Sequence, residues 1–146
     1  MIEMSQLLSP EQVIDLTGKT KEEVLRELCN VVSTLPQVTD PDKLLAAIRK
    51  REAIMSTGIG MGIAIPHAKI ESVRDIAIAV GRSPEGIDFQ ALDGEPVHLV
   101  ILMAASNTQG DEFLKLLGKI GSFFMSEKHR NRFLNAVSAG DIYTLF

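Results

Sequence analysis

Apolar residues repeat at helical spacing along some stretches of the chain and stand side by side along others, and this alternation lays out the elements. Thr20-Lys21-Glu22-Glu23 has the form of a capping box, and Val24, Leu28, Val31, Val32 and Leu35 then fall on one face, which predicts a helix over residues 20–34. Asp40 followed by Pro41 marks a second start, because an aspartate caps free amides and proline suits the first helical position; Leu44, Leu45, Ala47 and Ile48 carry the stripe, and the helix is expected to end near Arg51. Residues 56–62 hold three glycines in alternation and read as a loop. Ile63-Ala64-Ile65 reads as a short buried strand leading into Pro66-His67. Residues 76–80 and 97–103 read as two more strands, with Gly86 and Gly94 punctuating the polar stretch between them. Phe113, Leu116, Leu117, Ile120 and Phe124 predict a long amphipathic helix, Ser126 caps a shorter one through about residue 136, and Gly140-Asp141 precedes a last segment. Strands mixed with one-faced helices imply an α/β sandwich around one sheet.

The chain has 146 residues, 45% of them hydrophobic, which suits a single domain over residues 1–146. A net charge of -4 from interspersed acids and bases, without a basic block, speaks against a nucleic-acid partner. Met1-Ile2-Glu3-Met4 lacks the basic start of a signal peptide, and no apolar run reaches the roughly 18 residues of a membrane span, so no membrane insertion and a cytoplasmic location are expected. Cys29, the single cysteine, lies four residues after Leu25 in a helical stretch and is expected to be a buried thiol. His67, His98 and His129 have no ligand-type spacing, which gives a metal site little support.

Chemistry concentrates between Arg51-Glu52 and His67. A histidine displayed after a buried strand and a rigid proline is held in place, and its unperturbed pKa of about 6.5 leaves it largely neutral and nucleophilic near neutral pH. An imidazole that attacks phosphorus gains a group carrying roughly two negative charges, so donors must be oriented before it arrives. The hydroxyl of Thr57 and the backbone amides of the loop containing Gly58, Gly60 and Gly62 are candidates. Arg51 continues the buried stripe of its helix, whereas Arg49 and Lys50 turn toward solvent, so Arg51 is the candidate phosphate clamp; a structural ion pair with an acid such as Asp75 is the alternative. The glycines do not read as a dinucleotide fingerprint, which needs a strand before them and a helix after.

Arg51-Glu52 followed by Ser-Thr-Gly-Ile-Gly-Met-Gly-Ile-Ala-Ile-Pro-His at residues 56–67 resembles the signature of the enzyme IIA domains of the fructose/mannitol class of the bacterial phosphoenolpyruvate-dependent phosphotransferase system, nitrogen-regulatory members included. Gly86-Ile87-Asp88-Phe89, residues 93–99 and the late Leu114-x-x-Leu117 helix extend the likeness over nearly the whole chain. The resemblance implies a mixed sheet flanked by helices on both sides and phosphorylation of His67 with Arg51 as its partner. It also implies an HPr-like phosphocarrier as donor, a IIB domain as acceptor, and no metal or nucleotide cofactor.

One position departs from the family, which commonly has a second histidine where Phe113 stands. Loss of one charge-assisted hydrogen bond there costs about 1.5 to 3 kcal/mol and weakens transfer without abolishing it; Phe113 also fits the apolar stripe of its helix. Asp111 and Glu112 would repel a phosphoryl group. His98 fits a strand pattern, His129 reads as solvated, and Asn107 or Thr108 can offer a polar contact or merely cap a helix. Ile59 and Met61 either form a docking patch or pack inward. Three readings follow: a phosphocarrier, a regulatory domain whose binding to a transporter, kinase or channel depends on phosphorylation of His67, and a homologue that keeps the fold without being phosphorylated. The chain length, with no IIB or membrane segment attached, and Phe113 lean toward the regulator.

Overall fold

Two of the helices start where the side-chain chemistry says they should. In a computed structural model that describes residues 2–146, Thr20 Oγ1 accepts the Glu23 amide (3.2 Å), and the Asp40 carboxylate accepts that of Lys43 (3.2 Å). Met1, which opens the segment read above for its lack of a basic start, lies outside the described residues. The chain forms α1 (Ile2–Leu7), β1 (Val13–Asp15), α2 (Lys21–Val32), α3 (Pro41–Ile54), β2 (Gly58–Gly60), β3 (Ile63–Ala64), β4 (His67–Lys69), β5 (Ala77–Ile87), β6 (Val97–Ala105), α4 (Gly110–Met125), α5 (Glu127–Leu134) and α6 (Ala139–Thr144). Helix α3 runs three residues beyond its expected end because no breaker intervenes before Met55, whose extended backbone stops it.

The strands make one mixed sheet in the order β1-β5-β6-β3-β2, with β4 also alongside β6. Period-two alternation on the long pair β5 and β6 sorts the core into two layers. Ala77, Ala79, Val100, Leu102 and Ala104 pack under α2 and α3, while Ile78, Val80, Leu99, Ile101 and Met103 pack against Phe113, Leu116, Ile120 and Phe124 of α4. The helices therefore cover both faces. Cys29 is sealed in the first layer, and burial pushes its thiol up to about 12. Among the described residues no helix is long and apolar enough to cross a membrane.

β3 and β4 follow one path beside β6, both parallel to it and with the same offset, since Ile63 faces Leu99 and His67 faces Met103. Pro66 interrupts that path because it has no amide to give, although its carbonyl still accepts the Met103 amide (2.9 Å). Residues 56–62, expected as a loop, instead contain edge strand β2, which turns back onto β3. The turn takes Gly60, Met61 and Gly62 through positive φ (94°, 59° and 84°), and that is where glycine is required. Strand β5 runs on through the polar stretch to Ile87, which faces Val97 across an irregularity in the register. Short elements α1 and β1 have too few residues to leave a periodic signal in sequence.

Gly58 is a matter of space: a Cβ there would lie 2.8 Å from Ala91 Cβ and 2.9 Å from Ala91 Cα, so backbone would have to move. Gly118, in the middle of α4, has nothing within 4 Å of such a Cβ. Gly58→Ala is expected to destabilise by about 1–3 kcal/mol, and Gly118→Ala to stabilise by about 0.5–1 kcal/mol. Urea midpoints at constant slope measure both; equal midpoints for the two variants would contradict the packing described.

Candidate functional site

His67 opens β4 immediately after Pro66, half-buried, with its ring centroid 5.6 Å from that of Phe113 and the planes tilted by 52°. Its Nδ1 lies 2.7 Å from the Ile65 carbonyl oxygen. A carbonyl only accepts, so Nδ1 carries the proton of the neutral ring and Nε2 keeps the free lone pair. Burial is the largest influence on this ring and disfavours its charged form. The bond to Ile65 and the carboxylate of Glu52 oppose that influence, and the Arg51 guanidinium adds to it, leaving the pKa below its ordinary value.

Because β4 pairs only with β6 among the described strands, helices from the two layers meet over its edge. Between them lies a pocket of about 510 Å³. Ala47, Lys50, Arg51 and Ile54 of α3 form one wall, His67 and Lys69 the floor, and Phe113, Leu114 and Leu117 of α4 the other wall. Among the described residues, three cations and no carboxylate line it. Arg51 Nη1 donates to the Met55 carbonyl (2.8 Å), which holds the guanidinium at the end of α3. Asp75, the other partner considered for Arg51, instead accepts from Gln109 Nε2 (2.7 Å) and from the Ile76 amide (2.8 Å).

The expected amide cradle is not at this pocket. Both the amide and the hydroxyl of Thr57 donate to the Glu52 carboxylate, and the Gly58 amide donates to Ser56 Oγ (3.1 Å). Gly60 and Gly62 belong to the hairpin turn, where Asp93 accepts the Met61 amide (2.8 Å) and Gly62 lies beside Leu134 and His98. Leu99, opposite the start of β3, is four residues before Met103, opposite His67; at about 3.3 Å per residue that puts the turn about 13 Å or more away. Side-chain acceptors and strand pairing have used the groups that the glycine pattern offered.

His98 is also at that far end, with Nδ1 2.9 Å from the Ser83 carbonyl oxygen. His129 is half-buried rather than merely solvated: it stacks on Phe123 (4.1 Å, 11°), with Nδ1 3.1 Å from that residue's carbonyl oxygen. Thr108 Oγ1 bonds Ser106 Oγ (3.0 Å), and neither Asn107 nor Thr108 lines the pocket. Ile59 and Met61 are exposed, but at the hairpin. The exposed apolar side chains beside His67 are Ile54 (75% exposed) and Leu114 (62%). Lys69 was open to prediction, being two residues after His67 and so on the same side of an extended strand. Ile54 and Leu114 left no such signal, since each lies off its helix's buried stripe. No three His, Cys, Asp or Glu side chains are gathered as a metal set among the described residues.

Residues 6–146 match the family described as "Phosphoenolpyruvate-dependent sugar phosphotransferase system, EIIA 2". The chain belongs to this EIIA family. It is 38% identical over 138 residues, 94% of its length, to the fructose-specific EIIABC component of Bacillus subtilis, of which it spans 22%. It is 31% identical over 146 residues to the nitrogen regulatory protein of Pseudomonas aeruginosa, covering 99% of this chain and 95% of that one. In fold it is like the nitrogen regulatory protein IIA-Ntr of Neisseria meningitidis (TM-score 0.89, 24% identity, 98% of both chains). It is also like enzyme IIA of the Escherichia coli mannitol system, whose structure was solved in complex with phosphorylated enzyme IIB (TM-score 0.79, 24% identity, 94% of this chain and 95% of that one). The EIIA family thus has sugar-specific and nitrogen-regulatory members of this size and fold.

The depressed pKa of His67 means that the fold favours the neutral ring. Its contribution to stability is complete above the unfolded value of about 6.5 and is lost as pH falls through the lower folded value. An NMR titration of the His67 ring should give a midpoint below 6.5 in the folded protein, and a midpoint at or above that value would contradict the environment described.

Proposed function

We propose that the chain is a phosphoryl carrier in which His67 Nε2 receives a phosphoryl group from the phosphohistidine of an HPr-like donor. The lone pair of Nε2 forms the new N–P bond while the donor's N–P bond breaks and its electron pair stays on the donor imidazole. The proton stays on Nδ1, donated in a hydrogen bond to the Ile65 carbonyl, so no base is needed. The observation that carries the reading is that bond, with Arg51 on the wall of the same pocket. Among the described residues Arg51 commits Nη1 alone, which leaves the rest of its planar fork for phosphoryl oxygens. Lys50 and Lys69 add positive charge at the rim. Phe113 stands where a second histidine ring would face the group, and it supplies a wall in place of a donor, which slows transfer.

The onward acceptor is a IIB domain in the cytoplasm, in line with the complex described for the mannitol relative. A regulatory output, in which a target reads the phosphorylation state of His67, draws on the likeness to the Pseudomonas nitrogen regulatory protein along 95% of its length.

Incubation with phosphoenolpyruvate, enzyme I and HPr is expected to give an acid-labile, alkali-stable adduct in the wild type and none in His67→Ala. An unmodified wild type would support the reading as a homologue that keeps the fold without phosphorylation. Given an adduct, transfer to a IIB domain identifies the carrier, whereas a target captured in only one phosphorylation state identifies the regulator. Arg51→Ala should slow phosphorylation by about 10³-fold or more, and Phe113→His should speed it by about tenfold; a rate unchanged or lower in Phe113→His would refute the place given to that ring.

A further inference from the structure

We infer that Glu52 is the positioning residue of this site, one buried carboxylate that sets both the ring of His67 and the guanidinium of Arg51. Glu52 is 7% exposed and lies inside the last turns of α3, next in sequence to Arg51. Its Oε2 pairs with Lys21 Nζ at 2.7 Å and accepts the Thr57 amide at 3.2 Å, while Oε1 accepts the Thr57 hydroxyl. Lys21 is itself held, donating to the Phe89 carbonyl (3.3 Å) and lying over the Phe89 ring (5.1 Å).

From this anchor two chains of contacts reach the pocket. In one, the Thr57 carbonyl accepts the Ile65 amide (3.0 Å), and the Ile65 carbonyl accepts His67 Nδ1–H (2.7 Å), so the carboxylate is three hydrogen bonds from the imidazole. In the other, the bonds to Thr57 close the short connection through Met55 and Ser56, which places the Met55 carbonyl under Arg51 Nη1. A carboxylate can take all three donors at once; an aliphatic side chain can take none, and the Thr57 amide would then be buried without a partner. Stability alone does not ask for this pair, because a buried ion pair can commonly be replaced by well-packed apolar residues at no loss. Placement is the role that the pair fills. The inference rests on the proposed function only for what the placed ring does.

The test replaces the pair with apolar residues of similar length, Lys21→Met with Glu52→Leu, and compares it with Glu52→Gln, which keeps an acceptor for Thr57 and Lys21. Nitrogen NMR of the unphosphorylated protein reads which ring nitrogen of His67 holds the proton, and the phosphorylation rate is measured alongside. The double variant should stay folded, show a mixture of ring tautomers and phosphorylate about tenfold more slowly or worse. Glu52→Gln should keep the Nδ1–H form and stay within about threefold of the wild-type rate. If the double variant unfolds, Thr57→Val, which removes one of the bonds without touching the charge, should give the same tautomer mixing. Wild-type tautomer and rate in a folded double variant, or in Thr57→Val, would overturn the inference. So would a Glu52→Gln as slow as the double variant with its tautomer unchanged, since charge and not placement would then be the cause. The tautomer is read without any phosphoryl donor, so a protein that is never phosphorylated would sink the proposed function and leave this result standing.

Discussion

A single hydrogen bond, from His67 Nδ1 to the carbonyl of Ile65, is the constraint on which the site depends. It assigns the proton of the neutral ring to one nitrogen and presents the other, and it can form because no neighbouring strand takes the Ile65 carbonyl. In an unbroken parallel strand, backbone carbonyls are taken by the neighbouring strand. Here Pro66 faces β6, its carbonyl accepting the Met103 amide, while Ile65 faces the other side, where its amide donates to the Thr57 carbonyl and its carbonyl accepts from the side chain two residues on. β4 is a short segment paired only with β6 among the described strands, and edges are where helices from opposite faces of a sheet come within reach of one another.

Around that ring the pocket is built from cations and hydrocarbon. Among the described lining residues, Lys50, Arg51 and Lys69 provide charge without a carboxylate, and Ala47, Ile54, Phe113, Leu114 and Leu117 supply apolar walls. The nearest acid, Glu52, is turned into the interior and paired with Lys21. In the proposed transfer, an incoming dianionic group is met by fixed positive charge in partly desolvated surroundings, which is the arrangement that raises the value of each electrostatic contact. The same desolvation disfavours the charged imidazole, so that in the proposed transfer binding of the anion and nucleophilicity of the ring have one physical origin.

The glycine-rich segment shows how composition can indicate the right neighbourhood and the wrong task. Three glycines ahead of a nucleophile suggest a cradle of free amides. In the fold they allow a tight hairpin, with positive φ at Gly60 and Gly62 and a close approach to Ala91 at Gly58, and the amides on offer are spent on Ser56, on Asp93 and on strand pairing. The segment still serves the site, at one remove: β2 returns the chain so that Thr57 lies beside Ile65, and through Thr57 the buried carboxylate of Glu52 reaches the histidine.

The sequence by itself determined the helices with strong caps, the buried strands, the α/β class, and the two residues, Arg51 and His67, that share the pocket. These are local matters, since caps, periodicity and a displayed histidine are written within a few consecutive positions. Only the tertiary structure decided which donors remain unspent, which apolar residues border the ring, and that Arg51 bonds Met55 rather than Asp75. It also decided that His129 stacks on Phe123 while His98 lies at the far end of its strand. Each of those facts depends on how partners distant in sequence compete for the same hydrogen bonds and surfaces, and that competition is settled when the layers close around the sheet.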